Sequence, residues 1–410
     1  MVCLKAGDEN SERGGAAKAA ASSSETHPDP GPTGRRSAPH TGLESPSMDL
    51  PVVPPVKPML AKAVDRIPET GDLAFEPKWD GFRCIVFRDG DELHLGSRNE
   101  RPLTRYFPEL IEPLKESLPD RCVVDGEIIV IIDDHLGFDV LQQRIHPAES
   151  RVRQLAAETP AEFIAFDILA ANQTDLTDEP FRRRRAVLET IGVGFEPPIH
   201  LAPSTLDRDM AQQWHGTFEG AGLDGLIAKP RDGTYQPNKR VQFKIKYTRT
   251  ADVVVAGYRM HKDGNGVGSL LVGLHTTDED GAVGRLQHMG VASSFTARRR
   301  EELLDSLAPY ITEQLDEHPW AASMIPDAHA DGLMPGAPSR WTGGRSTPSW
   351  VPLRCELVAE VKYEAVLNGR FRGTTRWVRW RPDRDPASCT YDQLEMPAPI
   401  AIHEVLRARG

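Results

Sequence analysis

The sequence predicts an α+β chain of two folded domains, and three observations predict it. At 410 residues the chain is too long for one small domain and fits two or three. Between Ala74 and Lys246, short apolar strands alternate with helix-length segments. After Tyr247 the pattern changes to short strands separated by turn residues, as in a small β-barrel. The expected boundary lies near residue 248, with a first domain over 49–248 and a barrel domain over 249–410. No repeat of fixed period runs through the chain.

Residues 1–48 precede both domains. They are rich in Ala, Gly, Ser and Pro, and the first aromatic residue is Phe75. Such a segment buries too little apolar surface to offset its ordering entropy. It reads as a disordered tail or a mis-assigned start. Pro51–Pro58 reads as an extended lead-in. Arg83–Arg88 and Asp91–Leu95, joined by Asp89-Gly90, read as a hairpin with a tight turn. Tyr106–Leu114 suggests a short helix, Cys122–Ile132 a buried strand pair around Gly126, and Glu162–Leu169 one apolar strand. Pro180–Ile191 is a helix that opens on Arg182–Arg185, followed by strands over Leu223–Lys229 and Val241–Lys246. The barrel strands are Asp252–Tyr258, Ser269–His275, Gly284–Gly290 and Leu357–Tyr363, with an inset helix over Thr296–Tyr310.

Composition excludes several function classes. A formal net charge of −11 argues against a protein that coats nucleic acid through uniform positive charge, though not against one basic face. No stretch approaches the ~18 apolar residues of a membrane span. The first ten residues lack the apolar core of a signal peptide. A soluble, cytoplasmic protein is expected. Cys3, Cys84, Cys122, Cys355 and Cys389 are scattered with no CxxC pair, and the histidines form no HExxH, so zinc-ligand spacing is missing.

The string Glu76-Pro77-Lys78-Trp79-Asp80-Gly81-Phe82-Arg83 carries the chemistry. Lys-x-Asp-Gly alone is short. It gains weight from an ordered set downstream: Ser97-Arg98, Asp125-Gly126-Glu127, Phe166-Asp167, Asp224-Gly225-Leu226-Ile227 and Lys244-Ile245-Lys246. A lysine amine attacks phosphorus only when neutral, so its ammonium form must be disfavoured. Burial does this, and so do nearby cations such as Arg83, Arg98, Lys244 and Lys246. Lys244 and Lys246, two apart in a strand, point to one face where both can meet a phosphate. Glu127 accepts hydrogen bonds only, which suits a ribose hydroxyl or a hydrated metal. Gly264–Gly268 leads into a strand and lacks Gly-Lys-Ser/Thr, so it reads as a hairpin tip rather than a phosphate loop. Arg182–Arg185 reads equally as a DNA contact or as the solvated start of a helix.

In order and spacing these motifs resemble the covalent nucleotidyltransferases, the superfamily of DNA ligases, RNA ligases and mRNA capping enzymes, over residues 55–385. The resemblance implies an adenylation domain of nucleotidyltransferase (ATP-grasp-like) fold followed by an OB-fold barrel. It implies Lys78 as the catalytic nucleophile that forms lysyl-AMP. Glu76, Arg83, Arg98, Glu127, Phe166, Lys244 and Lys246 then bind the nucleotide, with Phe166 stacked on adenine. Glu127 and Asp224 become ligands of Mg²⁺ or Mn²⁺. Asp224 stands where Glu is usual, so contact through water fits as well as direct contact. Phe243 stands beside the lysine pair where a nearby Trp or Met is usual.

The stretch from Asn368 to Arg384 holds six arginines and one acid, with aromatic residues between them. Such a basic stripe suits a phosphate backbone. Arg370, Arg372, Arg376 and Arg379 are the expected DNA contacts. Arg381-Pro382-Asp383-Arg384 resembles the last ligase motif, Arg-x-Asp-Lys, with Arg in place of Lys. In that family the motif touches the pyrophosphate of ATP, which makes Arg381, Asp383 and Arg384 cofactor contacts. Gly225–Pro230, the linker Thr248–Asp252 and Ser349–Arg354 resemble the small bacterial ATP-dependent DNA ligases. The likeness is to the free-standing C-type actinobacterial enzymes and to the ligase module of bacterial end-joining proteins. NAD-dependent ligases add modules and four zinc cysteines that this sequence does not contain, which implies ATP as the cofactor. The resemblance further implies a monomer that grips nicked double-stranded DNA with two domains and serves DNA repair near the nucleoid. It leaves the pathway and any protein partner open. An RNA ligase or a capping-type nucleotidyltransferase is the alternative.

Overall fold

The computed structural model describes residues 48–321, 350–367 and 369–408. The expected tail up to residue 47, and Ser349 and Asn368 of the quoted strings, lie outside the described residues. Met48, counted with the tail, is buried with Leu50 in a cluster that includes Ile85 and Phe87.

The first domain runs β1 (Leu60–Val64), β2 (Leu73–Pro77), β3 (Phe82–Asp89), β4 (Glu92–Ser97), α1 (Ile111–Ser117), β5 (Arg121–Ile132), β6 (His135–Leu136), α2 (Phe138–Gln143), α3 (Glu149–Glu158), β7 (Ala161–Ala171), β8 (Thr174–Asp175), α4 (Phe181–Gly192), β9 (Ile199–Leu201), α5 (Arg208–Thr217), β10 (Leu226–Pro230) and β11 (Arg240–Ile245). Two sheets result. One has the order β1-β11-β10-β2; the other follows β4-β3-β5-β7-β8, with β6 paired to β5 and β9 to β7. The β3–β4 hairpin closes at Asp89 opposite Glu92, with Gly90 at φ +61°, a conformation that glycine adopts without steric cost.

Three local expectations change. Cys122–Ile132 is one strand, not a pair. Gly126 marks no turn: it sits where the register against β7 shifts, and a Cβ there would lie 2.5 Å from the Ile164 carbonyl oxygen. Tyr106–Leu114 divides into short 3₁₀ turns before α1 begins at Ile111, because Pro108 has no N–H to donate. Of the four arginines that open α4, only Arg182 and Arg183 are exposed. Arg184 is fully buried in a fork to Asp167, and Arg185 is buried beside Glu76. For these two, neither the solvated reading nor the DNA-contact reading holds.

The second domain is a closed barrel of β12 (Arg249–Met260), β13 (Val267–Thr277), β14 (Val283–Ser293), β15 (Val351–Tyr363) and β18 (Thr375–Trp380), in the order β12-β13-β14-β18-β15. The small pair β16 (Val366–Leu367) and β17 (Arg370–Phe371) projects from it. Five strands of this closure are the architecture of an OB-fold. The barrel core buries Val253, Val255, Leu271 and Val361. The inset helix α6 (Ala297–Leu307) is capped by Thr296, whose hydroxyl accepts from the Arg299 amide at 3.2 Å, and it buries Leu303 and Leu307. Gly264 and Gly266 lie at the β12–β13 tip, as the hairpin reading requires.

The chain end departs from the expectation that the barrel domain extends to 410. Helix α7 (Ile402–Arg407) packs on the first domain, and Ile402 and Val405 join the cluster of Phe75, Ala221, Leu223 and Leu226. Among the described residues, no helix is long and apolar enough to cross a membrane.

Candidate active site

The two sheets of the first domain flank a cavity of about 370 Å³. Lys78 lies just past the end of β2, on a turn held by two backbone hydrogen bonds. Its amide donates to the Gly225 carbonyl at 2.8 Å, and its carbonyl accepts from the Asp224 amide at 3.0 Å. Gly225 at φ +124° permits this close approach, since a side chain there would overlap the Ile245 carbonyl. The same two bonds bring the side chains together. Lys78 Nζ donates to Asp224 Oδ2 at 2.5 Å, and Lys246 Nζ lies 3.2 Å from the same oxygen. Lys246 also meets Glu364 of the barrel at 2.5 Å. Lys244 and Lys246 both line the cavity, as their spacing predicts.

Electrostatics sort these groups. Burial acts to raise the Asp224 carboxyl, but the Lys78 and Lys246 ammonium groups outweigh it and hold it below the usual carboxylate range. Burial, helped by Lys246 and Lys78, pushes the Lys244 ammonium down. Glu127, on β5 and inside the cavity, is pushed up to about 7 because burial outweighs Arg83 and Lys78.

The far wall holds Glu76, Arg83, Phe166 and Lys229. Glu76 is buried, with Lys229 at 2.6 Å and Arg185 at 3.5 Å. Arg83 forks onto Asp125 through two bonds of 2.6 Å, and Tyr235 donates to the same carboxylate at 2.7 Å. The Arg83 guanidinium lies 4.3 Å from the Phe166 ring centre, and Lys229 Nζ lies 4.6 Å from it. The ring on which the resemblance places adenine thus already has two cations beside it. Arg98 is exposed at the cavity rim.

Other expected residues are not gathered here. Arg381 pairs with Asp252 at 2.9 Å and with Asp383, and Arg384 lies 3.2 Å from Asp252. All three belong to the barrel and none lines the cavity in this arrangement, because Asp252 at the start of β12 holds both arginines. The expected DNA arginines divide as well. Arg370 turns onto the barrel and donates to His288 Nδ1 at 2.7 Å. Arg372 forks onto Asp80 and lies 4.6 Å from the Phe138 ring centre. Arg376 and Arg379 are exposed; Arg379 pairs with Glu360 at 2.6 Å, and Arg376 lines a cleft with Lys244, Lys246 and Lys362.

Sequence reasoning gave no role to Lys229, Asp125, Asp80 or Glu364. Lys229 left a trace: it is a lone cation at the end of an otherwise apolar strand. Asp80 stands in the Lys78-Trp79-Asp80-Gly81 string, but nothing there points to Arg372, and Glu364 left no trace, because both partners lie far away in the chain. Among the described residues, no three His, Cys, Asp or Glu side chains converge as a metal cluster.

Comparison with known proteins agrees with this geometry. The family model "ATP dependent DNA ligase domain" matches residues 58–247, and "ATP dependent DNA ligase C terminal region" matches residues 263–384. The chain is 53% identical over 367 residues to DNA ligase C of Mycobacterium tuberculosis, covering 88% of this chain and 99% of that protein. It is 53% identical over 354 residues to DNA ligase C2 of Mycolicibacterium smegmatis, covering 85% and 97%. The multifunctional non-homologous end joining DNA repair protein LigD of M. tuberculosis is 34% identical over 321 residues, which is 77% of this chain and 37% of that longer protein.

Proposed function

The chain belongs to the ATP-dependent DNA ligases, and from that premise we propose that Lys78 is the residue that carries AMP from ATP to a nick in duplex DNA. The observation that carries the reading is the Lys78–Asp224 bond at the edge of a cavity that also presents Lys244, Lys246 and Glu127. The RNA-ligase and capping alternative finds no support beside relatives that are DNA ligases.

The steps follow from balance. The Lys78 ammonium gives up a proton, and Asp224 Oδ2 is the group already hydrogen-bonded to it. The freed amine attacks the α-phosphorus of ATP. An N–P bond forms, the bond to the bridging oxygen breaks, and pyrophosphate leaves with the electron pair. A 5′-phosphate oxygen at the nick then attacks the same phosphorus and breaks the N–P bond. Finally the 3′-hydroxyl attacks the 5′-phosphorus, loses its proton, and AMP leaves. Lys244 and Lys246 bear on the charge of the phosphates, and Glu76 with Lys229 bounds the opposite end.

A Mg²⁺ or Mn²⁺ ion fits Glu127 better than Asp224. Asp224 already serves two ammonium groups, whereas burial leaves Glu127 short of positive charge. Magnesium commonly takes one or two protein carboxylates and completes its shell with substrate phosphates and water. Such an ion would relieve phosphate charge. Arg376 and Arg379 are offered to the DNA backbone, with Arg372 joining once it leaves Asp80. We place the enzyme in the cytoplasm at the nucleoid, acting as a monomer in DNA repair.

Incubation with ATP labelled at the α-phosphate tests the reading. The parent chain becomes covalently labelled, Lys78→Ala does not, and nicked duplex DNA discharges the label. Labelling of Lys78→Ala equal to the parent overturns it.

A further inference from the structure

We propose that the carboxy-terminal strap, residues 394–408, is a positioning element for the Lys78–Asp224 pair. The strap lies beyond residue 384, where the match to the ligase C-terminal region ends. It begins on the barrel, where Leu394 packs against the barrel core and Gln393 exchanges two hydrogen bonds with the Asp252 backbone, at 2.7 and 3.0 Å. It then passes Arg249, whose Nε donates to Glu395 at 3.2 Å. The same guanidinium forks onto both oxygens of Glu219, on the Phe218–Ala221 turn, at 2.5 Å each. One residue on, Gly220 lies under Ala398 so closely that any Cβ would overlap the Ala398 carbonyl. The strap ends in α7, whose Ile402 amide donates to the Asp134 carbonyl at 2.8 Å and whose Ile402 and Val405 are buried in the first-domain core.

One part of what the strap grips, the Phe218–Ala221 turn, leads directly to the reacting pair. From Ala221 the chain continues through Gly222, at φ +88° where an added Cβ would lie 3.2 Å from Leu136 Cβ, and then through buried Leu223 to Asp224. The Asp224 amide donates to the Lys78 carbonyl at 3.0 Å, and its carboxylate accepts from Lys78 Nζ. Two residues with little freedom, Gly222 and Leu223, separate the clamped turn from Asp224. The barrel is joined to this turn through Arg249 and the strap, so seating of the barrel and placement of Asp224 are mechanically linked. Displacements of about 1 Å in such a placement can lower a rate on the order of a hundredfold.

The inference rests on Lys78 being the nucleophile, and its test separates the two. Single-turnover attachment of AMP is measured in the full chain for Gly220→Ala, which forces the strap off the turn, and for the double variant Ile402→Asp/Val405→Asp, which undocks α7. Glu404→Gln, on the exposed face of the same helix, is the control, and Ile402→Leu is the conservative rescue. The expected result is a fall of about tenfold or more in the saturated rate per folded molecule, with the KM for ATP within about twofold of the parent. Glu404→Gln and Ile402→Leu keep the parental rate. Two results overturn the proposal: a parental rate per folded molecule in Gly220→Ala, or losses in both variants that only track the fraction unfolded. A failure of the nucleophile reading looks different, because Lys78→Ala would then still be labelled.

Discussion

Glu127 and Asp224 face the same lysine, yet their surroundings push them in opposite directions. Glu127 is raised to about 7 by burial, while Asp224 is held down by two ammonium groups. The folded chain therefore binds the Glu127 proton more tightly than the unfolded chain does. Its contribution to stability is present below the ordinary glutamate value of 4.5 and is lost as pH rises to about 7. Asp224 has the opposite sign: its contribution is present above the ordinary aspartate value and is lost as pH falls through its depressed one. Glu127→Gln removes only the first effect. Thermal melts of parent and variant should show the variant gaining on the parent between pH 5 and pH 8, while its AMP attachment falls at pH 8. A constant gap across that range would contradict the assignment. Arg184 gives a larger effect, since its fork to Asp167 is fully buried. Arg184→Ala leaves that carboxylate without its partner and should cost about 3–5 kcal/mol in denaturant unfolding. The sequence pointed to Lys78, Glu127 and the lysine pair because each stands in a short string with chemistry of its own. It could not point to Arg184 as a core residue, because four consecutive arginines look alike until the helix phase assigns two of them inward.

Whole strands and helices followed from the sequence where one face is apolar. The β3–β4 hairpin, β7, α4, α6 and four barrel strands arise close to where their patterns place them. The errors share one cause, which is contact with distant parts of the chain. A glycine inside an apolar run reads locally as a turn, and only the Phe163 ring and the Ile164 carbonyl of the neighbouring strand explain why Gly126 must lack a side chain. Gly126→Ala should thus overpack β5 against β7 and destabilise the chain by about 1–3 kcal/mol or more, measured as a lower denaturant midpoint with an unchanged slope. Helix α7 escaped for the same reason. Its six residues carry too little pattern to stand alone, and the partners of Ile402 and Val405 lie some two hundred residues earlier in the cluster of Ala221 and Leu223.

At the scale of the molecule, the arginine stripe is one feature in sequence and four in space. Arg370 faces His288, Arg372 holds Asp80, and Arg381 and Arg384 share Asp252, which leaves Arg376 and Arg379 on the exposed surface. Three ion pairs, Arg372–Asp80, Lys246–Glu364 and Arg249–Glu219, join the barrel side to the first domain. Local charge density therefore overstates how many arginines are ready to displace counterions, since several are already neutralised within the protein. The slope of log affinity against log salt measures that number directly, at about 0.9 per phosphate contact. For binding to nicked duplex DNA, Arg376→Ala/Arg379→Ala should flatten the slope by about one to two contacts, roughly 0.9–1.8, the second requiring Arg379 to exchange Glu360 for a phosphate. Arg370→Ala should leave the slope at the parental value and lower the melting temperature instead, because it removes a partner of a buried histidine. If Arg370→Ala flattens the slope as much as the double variant does, the side chain turns outward on DNA and the division drawn from its bond to His288 fails.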